Sequence, residues 1–162
     1  MLRTRTVDGY VMRVASSQFV ELRGERHHLL TWGNAGDPPL FFVHGWMDVG
    51  ASFQFLVDAL AGDWYCIAPD LRGFGRSAWQ AQGYWFQDYI ADLDVLVRRF
   101  AGGRPARLVG HSLGGNVVMH YAGVRPARVA RVVSLEGFGV PEEGPEEAPS
   151  KLVAWLDALE KP

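Results

Sequence analysis

The chain has 162 residues, enough for one domain with a sizeable core, and 48% of them are hydrophobic, which excludes disorder over most of its length. A formal net charge of -2 argues against a nucleic-acid or anionic-membrane partner. Cys66 is the single cysteine, so no intrachain disulfide can form, and its apolar surroundings (Trp64-Tyr65-Cys66-Ile67-Ala68) predict a buried structural thiol.

Arg3 and Arg5 near the N-terminus are not followed by the apolar stretch of a signal peptide. No apolar run approaches the ~20 residues of a membrane span, so a cytoplasmic protein is the expectation. Residues 1–16 are expected to form a weakly structured lead-in. Residues 19–22 and 28–32 read as two strands around Gly24, and 33–39 as a Gly/Asn/Pro loop. Leu40-Phe41-Phe42-Val43 is a continuous apolar run, as in a strand buried on both faces. A helix is predicted over 52–60, a buried strand over 64–68, and a long helix over 85–100. In that long helix Tyr89, Leu93, Leu96 and Phe100 recur at helical spacing.

A short strand at 107–110 runs into Gly110-His111-Ser112-Leu113-Gly114-Gly115, and a helical stretch follows at 116–122. This is a G-x-S-x-G pattern in the setting that gives it meaning: strand, sharp turn, helix. A serine hydroxyl is a poor nucleophile unless a turn exposes it and a base takes its proton. Glycines on either side let the backbone make such a turn without side-chain clashes. Residues 129–135 form the next predicted strand, 141–149 a Pro/Glu-rich loop, and 152–159 a short amphipathic helix. From Glu136 onward seven acids face two lysines, which reads as a solvated surface segment. Strands alternating with helices indicate an α/β domain with a mostly parallel sheet and flanking helices.

Four segments, in order, resemble the α/β-hydrolase family. Phe42-Val43-His44-Gly45-Trp46 is similar to the family's oxyanion loop after its third strand. Ala68-Pro69-Asp70-Leu71-Arg72-Gly73-Phe74-Gly75-Arg76-Ser77 is similar to its D-x-R-G-x-G-x-S stretch. The serine turn is the third segment, and Val132-Val133-Ser134-Leu135-Glu136-Gly137 resembles the sixth strand and its tip. The resemblance covers residues 17–140, the N-terminal six-strand part of that fold, with 141–162 similar to the start of an inserted cap. It implies Ser112 as nucleophile, the backbone N–H groups of Trp46 and Leu113 as oxyanion donors, and His44 and Gly45 as parts of the same loop. The Trp46 indole can also line an acyl pocket. Asp70 matches a turn-organising position rather than the catalytic acid, and Arg72 and Arg76 are expected to be its loop partners. Asp48 reads as a solvated loop residue. Glu136 sits where some members carry the catalytic acid, and the alternative is a loop carboxylate facing solvent. Serine at position 112 argues against the family's dehalogenases and epoxide hydrolases, which use aspartate there.

The resemblance also implies a histidine base well after the acid. The five histidines are His27, His28, His44, His111 and His120, and none fits that role. The chain therefore reads as truncated within the cap region, with the strand at 129–135 as an edge open to self-association. The first reading is a serine hydrolase that cleaves a small-molecule ester with an apolar acyl part through an acyl-enzyme on Ser112, with no metal or organic cofactor. The second is a truncated or degenerate hydrolase domain that only binds a ligand or partner. A third is half of a split enzyme, with the histidine supplied by another polypeptide.

Overall fold

The computed structural model describes residues 4–81, 83–137, 145–147, 149–150 and 153. The cap segment expected at 141–162, its loop and its helix lie largely outside the described residues.

Two strands, β1 (Thr4–Val7) and β2 (Tyr10–Arg13), pair antiparallel where a weakly structured lead-in was expected. Asp8 and Gly9 between them both have positive φ (47° and 83°), the backbone of a two-residue hairpin turn that asparagine, aspartate and glycine tolerate. The hairpin is pinned from outside itself. The Arg13 N–H donates to Asp58 Oδ1 at 2.6 Å, and the Gln54 amide donates to the Arg13 carbonyl at 2.9 Å. Both partners lie on α1 (Gln54–Ala59), which follows a 3-10 turn at Gly50–Phe53.

The main sheet has six strands. A second hairpin, β3 (Ser16–Leu22) and β4 (Glu25–Trp32), lies at one edge. The others are β5 (Pro39–Val43), β6 (Tyr65–Pro69), β7 (Ala106–His111) and β8 (Val129–Leu135), and the spatial order is β3-β4-β6-β5-β7-β8. The strands β6, β5, β7 and β8 are mutually parallel, while β4 runs antiparallel to β6. Every residue of β5 and β6 is buried, as their unbroken apolar runs require.

Alternate residues of β5 feed two cores. Phe41 and Val43 pack with Ile67 and Leu108 beneath α2 (Phe86–Phe100) and α3 (Leu113–Val124). Leu40 and Phe42 pack with Cys66 and Ala68 against Phe53 and Val57 on the opposite face. In α2, Tyr89, Leu93, Leu96 and Val97 form the buried stripe, with Asp88 in the first turn and Arg98 and Arg99 in the last, matching the helix dipole. Among the described residues β8 is paired on one side only, by β7. Its Val129 and Val132 pack against the core, while Val133 and Leu135 are exposed.

Candidate active site

The C-terminal ends of β5, β6, β7 and β8 converge, and the residues singled out in the sequence lie on the loops that leave them. Ser112 joins β7 to α3 with φ 49° and ψ -114°, a backbone conformation that L side chains rarely adopt. Such a residue costs about 1–3 kcal/mol and persists only where its surroundings over-determine it. Here the Ser112 N–H donates to the Leu135 carbonyl at 2.8 Å, and the Asn116 N–H donates to the Ser112 carbonyl at 3.1 Å. The hydroxyl makes no capping bond to its own helix. The turn has room for hydrogen only at its two flanking glycines. A Cβ on Gly114 would overlap the Val43 carbonyl, and one on Gly110 would overlap the Gly114 carbonyl. Backbone thus lies directly on backbone, which brings the end of β5 against the start of α3.

Gly45 lies beside the serine. A Cβ there would meet His111 Nδ1 at 3.0 Å and Ser112 Cβ at 3.3 Å. Leu113 is the first residue of α3. The Trp46 side chain is 63% exposed and stands edge-on to Phe74, with ring centroids 5.3 Å apart. Next to it opens a cleft of about 390 Å³, lined by Trp46, Met47, Phe74, Trp79, Tyr84 and Tyr89. The aromatic residues of the loop after β6 were not singled out in the sequence. Their signal was present, because Phe74, Trp79, Tyr84 and Trp85 crowd one loop stretch.

His44, in the loop that leaves β5, turns its ring into the interior. Its ring is fully buried and bridges two loops: the Leu71 N–H donates to Nε2 at 2.8 Å, and Nδ1 donates to the Gly45 carbonyl at 2.8 Å. Accepting at Nε2 fixes the Nδ1–H tautomer. Burial pushes the pKa below the usual histidine value, although Gly45, Asp48 and Asp70 pull the other way. His44 is therefore a neutral strut that orients Gly45, not a proton carrier.

Asp70 organises its turn, as the sequence suggested. Its carboxylate accepts from the N–H of Gly50 and of Arg76 and from His28 Nδ1, each at 2.9 Å. Ser77 Oγ donates to the Asp70 carbonyl at 2.6 Å and accepts from the His28 N–H at 2.9 Å. Arg72 turns inward and clamps Asp92 of α2 through two bonds of 2.6 and 2.7 Å, and this contact raises its pKa. Asp48 is less idle than expected: it accepts from its neighbour's N–H and from the Ser52 hydroxyl at the start of the 3-10 turn.

Glu136, at the tip of β8, has φ 56° and a side chain 77% exposed. Its nearest basic neighbour is His111, with Nε2 at 3.8 Å. The tip itself folds back onto α3, since Ser134 Oγ donates to the Gly137 carbonyl at 3.2 Å and a Cβ on Gly115 would meet Ser134 Oγ at 2.8 Å. None of the other histidines is at the serine. His27 and His28 lie in the β3–β4 hairpin region, and His120 bonds its own helix at Asn116.

Residues 38–161 match the family model described as alpha/beta hydrolase fold. A serine hydrolase-like protein from Danio rerio is 35% identical over 136 residues, which is 79% of this chain and 40% of that protein. The thioesterase domain from the curacin biosynthetic pathway superposes with a TM-score of 0.77 at 28% identity, covering 90% of this chain and 53% of that one. Epoxide hydrolase A from Mycobacterium thermoresistibile gives a TM-score of 0.72 at 34% identity, covering 86% and 45%. The chain spans about a third to a half of the length of the curated relatives it matches. No helix among the described residues is long and apolar enough to cross a membrane.

Proposed function

Because the chain belongs to the α/β-hydrolase family, we propose that its chemistry is hydrolysis of carboxylic esters through an acyl-enzyme on Ser112. The observation that carries this reading is the Ser112 backbone itself. A strained, non-glycine residue at φ 49° sits at a strand-to-helix turn that glycines on both sides make sterically feasible. Ser112 Oγ attacks the ester carbonyl carbon, and the carbonyl oxygen gains charge between the N–H groups of Leu113 and Trp46. Removing one such donor typically costs about 3 kcal/mol of barrier. The closeness of Gly45 to Ser112, where an added Cβ would meet the serine Cβ at 3.3 Å, supports this assignment of the loop, and His44 holds that loop in place. Collapse of the intermediate expels the alcohol, and water later releases the acid. The aromatic cleft beside Trp46 fits an apolar acyl part.

The proton acceptor for Ser112 is not one of the five histidines as they are placed. Glu136 is the proposed acid that would orient an acceptor, on the strength of its position at the β8 tip. Without the acceptor, the oxyanion donors and binding alone sustain on the order of 10³-fold acceleration over water. The lack of a histidine placed to take the Ser112 proton favours a second reading, a domain that binds an apolar ligand without turnover, or one completed by another polypeptide along β8, which is paired on one side only among the described residues.

The test is reaction with a fluorophosphonate followed by peptide mapping, with Ser112→Ala as control. A slow adduct on Ser112 that disappears in the variant supports the hydrolase reading. A folded protein whose Ser112 stays unmodified overturns it and leaves the binding reading.

A further inference from the structure

A second serine, far along the sheet from Ser112, stands in a hydrogen-bonded chain that ends on a buried carboxylate. In the β3–β4 register Phe19 lies opposite His28 and Ser17 opposite Leu30, so Ser17 and His28 are diagonal neighbours on one face. Ser17 Oγ is 2.8 Å from His28 Nε2, and His28 Nδ1 is 2.9 Å from Asp70 Oδ2. The side chains of His28 and Asp70 are 5% and 4% exposed, whereas Ser17 is open to solvent.

The neighbours fix the direction of the chain. Asp70 accepts from the N–H of Gly50 and Arg76 and is an acceptor toward His28 as well. Arg76 Nη1, which can only donate, lies 3.2 Å from His28 Nε2. Nδ1 therefore carries the ring proton, and the single Nε2 lone pair is shared by the Ser17 hydroxyl at 2.8 Å and the Arg76 N–H at 3.2 Å, the hydroxyl being the closer. The same Arg76 nitrogen is 3.2 Å from Ser17 Oγ, so a fixed positive charge abuts the oxygen that would become nucleophilic. The Arg26 guanidinium lies 4.0 Å over the ring of Phe19, two residues along the strand, and that of Arg76 lies 5.1 Å from the same ring.

The geometry points to Ser17 as a second acyl-accepting nucleophile, with His28 as its base, Asp70 holding the imidazole, and activated aryl esters that carry an anionic group as its substrates. Ser17 Oγ attacks the ester carbonyl carbon while its proton passes to His28 Nε2. The aryloxide leaves and takes that proton, and the acyl group stays on Ser17. Water attacking with the same nitrogen as base then returns free acid and serine. Arg76 and Arg26 supply the preference for an anion. This inference does not depend on Ser112.

The experiment uses the Ser112→Ala protein. It is treated with the mono-4-nitrophenyl ester of adipic acid, which retains a free carboxylate too distant for ready anhydride closure, and with neutral 4-nitrophenyl butyrate, and adducts are mapped by peptide mass. In parallel, Ser17→Cys and Ser16→Cys are alkylated with iodoacetamide at neutral pH. Ser16 is the control, since it is exposed on the same strand one residue away. General-base assistance contributes about 10²–10⁴-fold in enclosed sites, and at this open one the Ser17→Cys thiol should react at least about tenfold faster than the Ser16→Cys thiol. The acyl adduct should map to Ser17, form faster with the adipate ester, and vanish in Ser17→Ala. Thiol rates within about twofold of each other, or acylation that ignores Ser17, would overturn the inference.

Discussion

Replacing His44 with alanine isolates what one buried imidazole does for the site. The substitution leaves the Leu71 N–H without its acceptor and the Gly45 carbonyl without its donor, both in the interior. Each orphaned group costs about 1–3 kcal/mol, so the loss is about 4 kcal/mol before any cavity is counted. Against a typical total of about 5–15 kcal/mol, that is a large fraction. The effect carries a pH signature. Burial holds the His44 pKa below its ordinary 6.5, so on acidification the unfolded chain takes up a proton before the folded one does. The stabilisation is complete above about pH 6.5 and is lost as pH falls toward the folded-state value. One pH unit of such differential binding is worth about 1.4 kcal/mol. Urea titrations of the parent and His44→Ala should show a gap of about 4 kcal/mol near neutral pH that narrows as pH falls below about 6.5. A gap below about 1 kcal/mol, or one that widens in acid, would refute the assignment of His44 as a neutral strut.

Three further outcomes are expected. Arg72→Met should cost about 3 kcal/mol, because it removes the two-bond partner of the buried Asp92 carboxylate and leaves it only Arg23 at 3.4 Å and His27 at 3.3 Å, and adding Asp92→Leu should recover part of that in a denaturation series. Desolvation pushes the Asp92 pKa up, but the neighbouring His27 and the Arg72 clamp outweigh it and hold the group below 3.8, so this contribution is intact at neutral pH and fades as pH drops below about 4. Ser112→Gly should raise stability by about 1 kcal/mol by relieving the positive φ, read as a melting temperature about 2–4 °C higher; a lower melting temperature would contradict stored strain at that turn. Cys66, whose thiol burial pushes up to about 12, should resist an aromatic disulfide reagent until the protein is unfolded, and rapid modification of the native protein would contradict its buried place.

The sequence by itself determined the β–α alternation, the buried strands and the serine turn. Those features rest on local rules: unbroken apolar runs for strands covered on both faces, helical spacing in α2, and glycines where backbone meets backbone. The hairpin at Thr4–Arg13 was also legible, since Asp8-Gly9 between alternating residues is a turn signal. Its place on the fold was not, because the hairpin contributes little to the core and is held by Gln54 and Asp58, more than forty residues away.

Only the tertiary structure decided what the polar residues do. His44 and Asp70 carry the same sequence weight as Ser112, yet burial and the direction of neighbouring N–H groups make one a strut and the other a turn anchor. The link from Ser17 to His28 and Asp70 joins three residues from two hairpin strands and a loop, spaced 11 and 42 positions apart. No local pattern encodes such a meeting, because hydrogen-bond partners are chosen by the register of the sheet and not by spacing along the chain.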